Sequence, residues 1–164
     1  MKGETDFREF ELIKKNLEIL SKLDLRVGYI GRDGEETHID SMISVATLAA
    51  IHEYGGADIP QRSFIRSTMV DQQEKISNIY TEVCRAIIMD SIDPLIELEK
   101  AGSEISKLVA EKLDRASTWA EGLKPDTILA KNSAQVLKKS GQLKRNLGWA
   151  VVEGDSILSV GRAS

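Results

Sequence analysis

The stretch LGWAVVEGDSILSV, residues 147–160, decides the fold class of this chain. Residues 147–152 and 156–160 are short runs with several β-branched and aromatic side chains, which favour strands. Between them, the Glu-Gly-Asp sequence centred on Gly154 is well suited to a tight turn, since glycine accepts a left-handed backbone. These residues therefore predict a β-hairpin.

A third strand and a helix are predicted near the beginning of the chain. At residues 24–30 the apolar residues Leu25, Val27 and Tyr29 alternate with other residue types, as in a half-buried strand. Residues 7–23 have apolar side chains at roughly helical spacing with charged residues between them. This spacing predicts an amphipathic helix.

The middle of the chain predicts two long helices. From residue 65 to about residue 89 the apolar positions advance by threes, fours and sevens, which indicates one long amphipathic helix. Asp93 as the N-cap and Pro94 at the first helical position then begin another helix, which continues to about residue 117. Two long helices with a short break between them predict an antiparallel helical hairpin.

The expected fold is α+β: a small, mainly antiparallel sheet packed against a long helical hairpin, plus an N-terminal helix. A length of 164 residues suits one domain, or one domain with an arm, and is enough to bury a real core. We interpret residues 1–23 as a helical arm and residues 24–164 as the α+β domain.

Composition narrows the class of protein. The single cysteine, Cys84, excludes a disulfide within the chain and suits a reducing compartment. Because its helical neighbours are apolar, we expect a buried or half-buried thiol. The net charge of −4 argues against nucleic-acid binding by bulk attraction, and no apolar run approaches the roughly 20 residues that span a bilayer.

Gly28, Gly31 and Gly34 have a spacing that invites comparison with phosphate-binding loops. Such loops open directly into a helix whose N-terminus holds the phosphate. Here the glycines run into acidic residues, which would repel phosphate. We therefore interpret residues 31–39 as an exposed loop or hairpin tip.

His52 and Glu53 are adjacent, but no second histidine follows at helical spacing. Zinc and iron sites need three or more converging ligands, so we interpret His52 as a histidine at a helix end. Nucleophile elbow, Walker loop and zinc knuckle motifs are all absent from the sequence. We expect no enzymatic activity, no metal and no cofactor.

A short helix followed by a rigid corner is predicted in the first half of the chain. Ser41 or Ser44 caps the helix, and Gly55 and Gly56 end it, because glycine relieves the steric cost of a left-handed cap. Pro60 prevents residues 57–64 from being helical throughout.

Arg62 and Phe64 follow the proline. Arg62 can donate a planar fork of hydrogen bonds to carboxylates or carbonyls and so lock the corner. The alternative is an ordinary surface arginine. Phe64 is expected to insert the start of the next helix into the core.

A basic cluster of Lys138, Lys139, Lys144 and Arg145 surrounds Gly141. Its functional interpretation is contact with DNA phosphates or with an acidic partner. Its alternative is a solvated loop that balances an acidic protein, since no stacking aromatics accompany it. Gly141 is expected to allow a turn with positive φ before the final hairpin.

Two stretches of the sequence resemble a recurring pattern in phage proteins. The first is AAIHEYGG, residues 49–56, with Tyr54 before the glycines, followed by IPQRSFIR, residues 59–66. The second has Leu123, Pro125, Thr127, Ile128 and Lys131, followed by Ser140-Gly141-Gln142-Leu143-Lys144. In this order they resemble the virion morphogenesis (tail completion) family of tailed bacteriophages and the related head-tail connector and minor tail families.

This resemblance implies a structural virion protein that completes the tail or joins it to the head as a ring, expected to be a hexamer. The implied partners are other copies of the chain, tail-tube or terminator proteins and connector proteins, with DNA in the lumen as a further contact and no membrane. The implied location is the virion neck, after assembly in the bacterial cytoplasm. Residues 31–39, 57–64 and 138–145 are expected to make the contacts. The residues expected to form or support the interface are Tyr54, Gly55, Gly56, Pro60, Arg62, Phe64, Lys138, Lys139, Gly141, Lys144 and Arg145.

Two other classes stay open. One is a small nucleic-acid-binding module that uses the basic segment 138–145. The other is a small regulatory or toxin-like enzyme, which would need a catalytic constellation in a polar cleft.

Overall fold

A computed structural model describes residues 2–39, 42–56, 59–120, 122, 137 and 141–163, with side chains described from residue 7 onward. The fold is α+β, as predicted from the sequence: a three-stranded antiparallel sheet packs against long helices. The helices are α1 (Lys2–Leu20), α2 (Gly31–Glu35), α3 (Val45–Tyr54), α4 (Ile65–Asp71), α5 (Gln73–Met89), α6 (Pro94–Asp114), α7 (Ala116–Trp119) and α8 (Gln142–Arg145), and the strands are β1 (Leu23–Gly28), β2 (Gly148–Glu153) and β3 (Ser156–Arg162).

The sheet has the order β1-β2-β3. β1 pairs with β2 without a register shift, from Leu23 opposite Glu153 to Gly28 opposite Gly148. β2 and β3 form the predicted hairpin, and Gly154 in its turn has a φ of 58°. The local turn signal in the sequence was therefore sufficient to predict the hairpin.

The long helix α6 covers one face of the sheet and begins as predicted. The Asp93 side chain accepts a hydrogen bond of 2.8 Å from the Leu95 N–H, and Pro94 lies in the first turn. Trp149 is packed between two glycines: a Cβ added to Gly102 of α6 would lie 2.8 Å from the indole, and one added to Gly161 of β3 would lie 2.5 Å from it. Trp149 is thus a core residue.

The predicted single helix from residue 65 to about 89 is wrong in one respect, because it is divided into α4 and α5. Gln72 separates them, with φ of −111° and ψ of 21°. In α4 the Thr68 hydroxyl donates to the Phe64 carbonyl at 2.6 Å, and hydrogen bonds of this kind to the preceding turn bend helices.

The prediction of an exposed loop or hairpin tip at residues 31–39 is wrong in its local structure, although most of the residues are exposed as predicted. The segment contains the short helix α2, and Thr37 forms an isolated bridge with Ser44. Gly34 is buried, and a Cβ there would lie 2.7 Å from the Tyr29 carbonyl oxygen. The segment is held against the body of the protein by polar contacts that link residues distant in sequence.

The core has two clusters of buried side chains. The first joins α3, the start of α4, the end of α6 and the residues before β2, and the second lies between the sheet, α5 and α6. Helix α1 packs against the second cluster through Leu20. The Asn16 amide of α1 also donates to the Ile92 carbonyl at 3.4 Å. Among the described residues, no helix is long and apolar enough to cross a membrane.

Candidate assembly surface

The corner, residues 53–66, begins where α3 ends. Gly55 has a φ of 81°, and a Cβ there would lie 3.2 Å from the Gln61 nitrogen. Gly56 does not have a positive φ, and a Cβ added to it would meet no atom within 4 Å. Of the two predicted glycines, Gly55 alone is required by the backbone geometry.

Glu53 organises the corner. Its side chain is 6% exposed. One oxygen accepts from the Phe64 and Ile65 N–H groups at 2.8 and 2.9 Å, and the other accepts from the Arg66 N–H at 2.9 Å and the Ser63 hydroxyl at 2.6 Å. Helix α4 has no side-chain cap at its own N-cap residue, so a carboxylate from another helix satisfies its first N–H groups.

The charge of Glu53 is stabilised despite its burial. Burial raises its pKa, but the hydrogen bonds from Ser63 and from the backbone of Ile65, Arg66 and Phe64 outweigh this effect, and the net pKa lies below the ordinary value. Hydrogen bonds to a charged form favour that form. Glu53 is therefore a buried anion that accepts the free donors of a helix start.

Arg66 closes the corner in the way predicted for Arg62. Its Nε lies 3.1 Å from a Glu53 carboxylate oxygen, and its Nη2 donates to the Glu53 backbone carbonyl at 2.8 Å. Its guanidinium also lies over the Tyr54 ring, 4.5 Å from the centroid, a favourable cation–π arrangement.

Arg62 is buried, so the alternative of an ordinary surface arginine is wrong. Its backbone N–H donates to the His52 carbonyl at 2.7 Å, and its guanidinium donates to the Gly122 carbonyl at 3.4 Å. Arg62 therefore connects the corner to Gly122, which follows α7. Phe64 is fully buried, as predicted.

The outer side of the corner is apolar and accessible. The Tyr54 side chain is 66% exposed and that of Ile59 is 38% exposed, while Pro60 is half-buried. A groove of about 240 Å³ lies beside them, between α3 and the start of α4, lined by Ala46, Ala50 and Tyr54 among others. Residues 57 and 58 lie outside the described residues.

The basic turn, residues 138–146, contains the basic segment and is only partly described. Lys138, Lys139 and Ser140 lie outside the described residues, as do the motif positions from Leu123 to Lys131. Gly141 precedes α8 and has the predicted positive φ, 67°. The Lys144 ammonium lies 2.6 Å from an Asp114 carboxylate oxygen.

Two buried amides hold the basic turn to the segment 31–39. The Gln142 side chain is 1% exposed; its nitrogen donates to the Glu36 carboxylate at 2.9 Å and its oxygen accepts from the Ile39 N–H at 3.0 Å. The Asn146 amide donates to the other Glu36 oxygen at 2.6 Å and to the Asp33 carbonyl at 2.9 Å. Hydrogen bonds from Asn146 and Gln142 lower the pKa of Glu36.

Tyr29 connects the corner to the basic turn. Its ring meets the Phe64 ring edge-on, with centroids 6.3 Å apart, and its hydroxyl donates to the Leu143 carbonyl at 2.8 Å. Burial and the nearby charge of Glu53 raise the pKa of Tyr29, so the hydroxyl keeps the proton it donates. Phe64 and Leu143 also belong to the same core cluster. The described parts of the two sequence stretches thus form one packed unit.

The sequence interpretation missed the two groups that hold this unit together, Glu53 and Gln142. The sequence contained no usable signal for Glu53, because Ser63 just before α4 is of the type that normally caps a helix, while in the structure its hydroxyl donates to Glu53 instead. The expected burial of Cys84 is wrong: the thiol is exposed. Among the described residues, no group of three or more metal-ligating side chains converges on one point.

The chain matches no family model, no curated protein and no solved structure. The phage family suggested by the two sequence stretches therefore stays a prediction of the sequence.

Proposed function

We propose that this chain is a structural protein of a tailed bacteriophage or prophage, which completes the tail or joins it to the head as part of a ring. The observation that carries the proposal is the packing of the two stretches with phage-like sequence. They are far apart in the chain, yet Tyr29 and a shared core cluster hold their described parts together.

In this proposal the corner is a preformed contact surface. Glu53 and Arg66 fix its backbone before any partner arrives. A surface that is already ordered loses little conformational entropy on binding. Its exposed members, Tyr54 and Ile59, are of the kind that interfaces favour, and the groove beside Tyr54 can receive a partner side chain.

The chain itself would act by assembly and not by catalysis. Copies would meet through the corner and the basic turn, the ring would sit on the tail tube, and its other side would meet the connector. The location would be the virion neck, after assembly in the bacterial cytoplasm. Genes for portal, capsid and tail-tube proteins are expected beside its gene.

Deletion of the gene from an inducible phage or prophage tests this function. Electron microscopy of the lysate should show heads and tails that are complete but separate, and a plasmid copy of the gene should restore joined particles. Normal virions in the deletion lysate would contradict the proposal.

The alternative is a nucleic-acid-binding module that uses residues 138–145. The ion pair between Lys144 and Asp114 weakens this alternative, because it places an acidic group beside one of the four basic ones. Binding to duplex DNA that falls steeply with salt would favour the alternative, since each phosphate contact releases counterions. No binding at low salt would exclude it.

A further inference from the structure

The two edges of the sheet differ in their regularity. β1 pairs with β2 over all six residues without a shift. β3 at the other edge has a register shift opposite Val151 and Val152, so that Leu158 is left out of the pairing. Bulges of this kind protect an edge strand from pairing with another chain. β1 has no such bulge.

The outward side of β1 is open to another strand. Outside its ladder with β2, no backbone hydrogen bond involves residues 23–28 within the described part of the chain. A groove of about 570 Å³ lies between β1 and α5, and it is lined by Leu23, Leu25, Val83 and Tyr80 among others. A row of unpaired N–H and C=O groups beside an apolar groove is a template for an added strand.

The charges of β1 indicate which strand fits. Leu23, Leu25 and Val27 pack toward the core, so Asp24 and Arg26 lie on the other face, where both are exposed. If two copies of β1 pair antiparallel with Leu25 opposite Leu25, each Asp24 lies opposite Arg26 of the second copy. Opposite charges in directly opposed positions stabilise such a pair, and like charges destabilise it.

We propose that β1 is a self-association edge, through which two copies of this chain form a two-fold dimer with a continuous six-stranded sheet centred on Leu25. The dimer goes beyond the proposed phage function and does not depend on it. A two-fold contact closes on itself, so a ring would be built through other surfaces, such as the corner. The contact is small, which is typical of weak and reversible association.

Analytical ultracentrifugation over a range from low micromolar to near-millimolar protein tests the dimer. The mass of the wild type should rise from 18.1 kDa toward twice that value. Asp24→Lys should raise the dissociation constant at least about tenfold, because two attractive pairs become repulsive. Asp24→Lys combined with Arg26→Asp restores opposite charges and should return the constant to within about threefold of the wild type.

A matched control is Glu104→Lys, which makes the same change of charge at an exposed position of α6. It should leave the dissociation constant unchanged, and circular dichroism checks that every variant is folded. A wild type that stays monomeric throughout, or a dimer that Asp24→Lys does not weaken, would overturn the proposal.

A cysteine cross-link tests the register. In a Cys84→Ser background, an equal mixture of Asp24→Cys and Arg26→Cys proteins places two exposed thiols opposite each other and should give a disulfide-linked dimer on mild oxidation. Val160→Cys, on the exposed part of β3, should cross-link much more slowly in the same background. Equal rates for the mixture and for Val160→Cys would overturn the register.

These tests are separate from the test of the phage function. A dimer in solution with normal virions in the deletion lysate would support the β1 edge and refute the phage role. Unjoined heads and tails with a strictly monomeric protein would do the reverse.

Discussion

Glu53 in the corner and Glu36 beside the basic turn both collect hydrogen bonds from a segment distant in sequence, but only Glu53 is buried. The donors differ as well. Glu53 accepts from backbone N–H groups at the start of α4, while Glu36 accepts from the side chains of Gln142 and Asn146. Backbone donors cannot turn to another partner when their acceptor is lost. The corner should therefore depend on its carboxylate more strongly than the basic turn does.

The largest effect is expected for Glu53→Ala. The variant leaves the N–H groups of Phe64, Ile65 and Arg66 without their acceptor in a buried place, and we expect the free energy of unfolding to fall by about 3 kcal/mol or more. Urea denaturation followed by circular dichroism measures this loss. Glu53→Gln keeps one acceptor oxygen but turns its NH2 group toward the N–H donors that the other oxygen served, so it should also be destabilised. A loss below about 1 kcal/mol for Glu53→Ala would contradict the role assigned to Glu53.

A smaller loss is expected in the basic turn from Gln142→Ala. This change removes a buried amide that donates to Glu36 and accepts from the Ile39 N–H, and we expect a loss of about 2 kcal/mol. Lys144→Ala at the exposed ion pair next to it is the control, with an expected loss below about 1 kcal/mol. If Gln142→Ala cost more than Glu53→Ala, the ranking of the two regions would be reversed.

Within the corner, substitution of the two glycines should have different effects on stability. Gly55→Ala forces a side chain into a backbone with φ of 81° and ψ of 174°, a region almost confined to glycine, and brings it close to residues 59 and 61, at a cost of about 1–2 kcal/mol. Gly56→Ala meets open space at ordinary φ and should change stability by less than about 0.5 kcal/mol. Thermal unfolding of the two variants side by side measures the difference, and equal losses would show that the corner does not need a residue with positive φ.

The smallest effect is in the dependence on pH. The pKa values of Glu53 and Glu36 are both lowered in the folded protein, so each group stabilises the fold above the pKa of an unfolded glutamate, about 4.3. That contribution is lost as pH falls through the folded pKa. Glu53→Gln and Glu36→Gln should each lose less stability than the wild type between about pH 7 and about pH 3. A wild type that gains stability on acidification would contradict the lowered pKa values.

The sequence was informative where the signal was local. Ser44 accepts a hydrogen bond from the Thr47 N–H as the N-cap of α3, and Asp93 with Pro94 begins α6. In both cases the cap and its donor lie within a few residues of each other. Gly141 has the positive φ that was predicted for it, and Gly154 has a positive φ in the hairpin turn.

The sequence was uninformative where distant residues decide the structure. Segment 31–39 contains the charges and glycines of a loop, but Gln142 and Asn146, more than 100 residues away, hold it against the body of the protein. Glu53 acts on residues up to 13 positions further along the chain, and its role depends on the angle between two helices. Periodicity and propensity contain no information on that angle.

One complementation experiment tests most directly the claim that the corner is the contact surface of a phage structural protein. A phage lacking the gene is supplied with the wild type, with the double variant Tyr54→Ala and Ile59→Ser, or with Ile157→Ser and Val160→Ser on the exposed part of β3 as the control. The fraction of joined particles is counted by electron microscopy. The wild type and the control should restore joined particles, and the corner variant should leave heads and tails separate. Full restoration by a folded corner variant would contradict the claim.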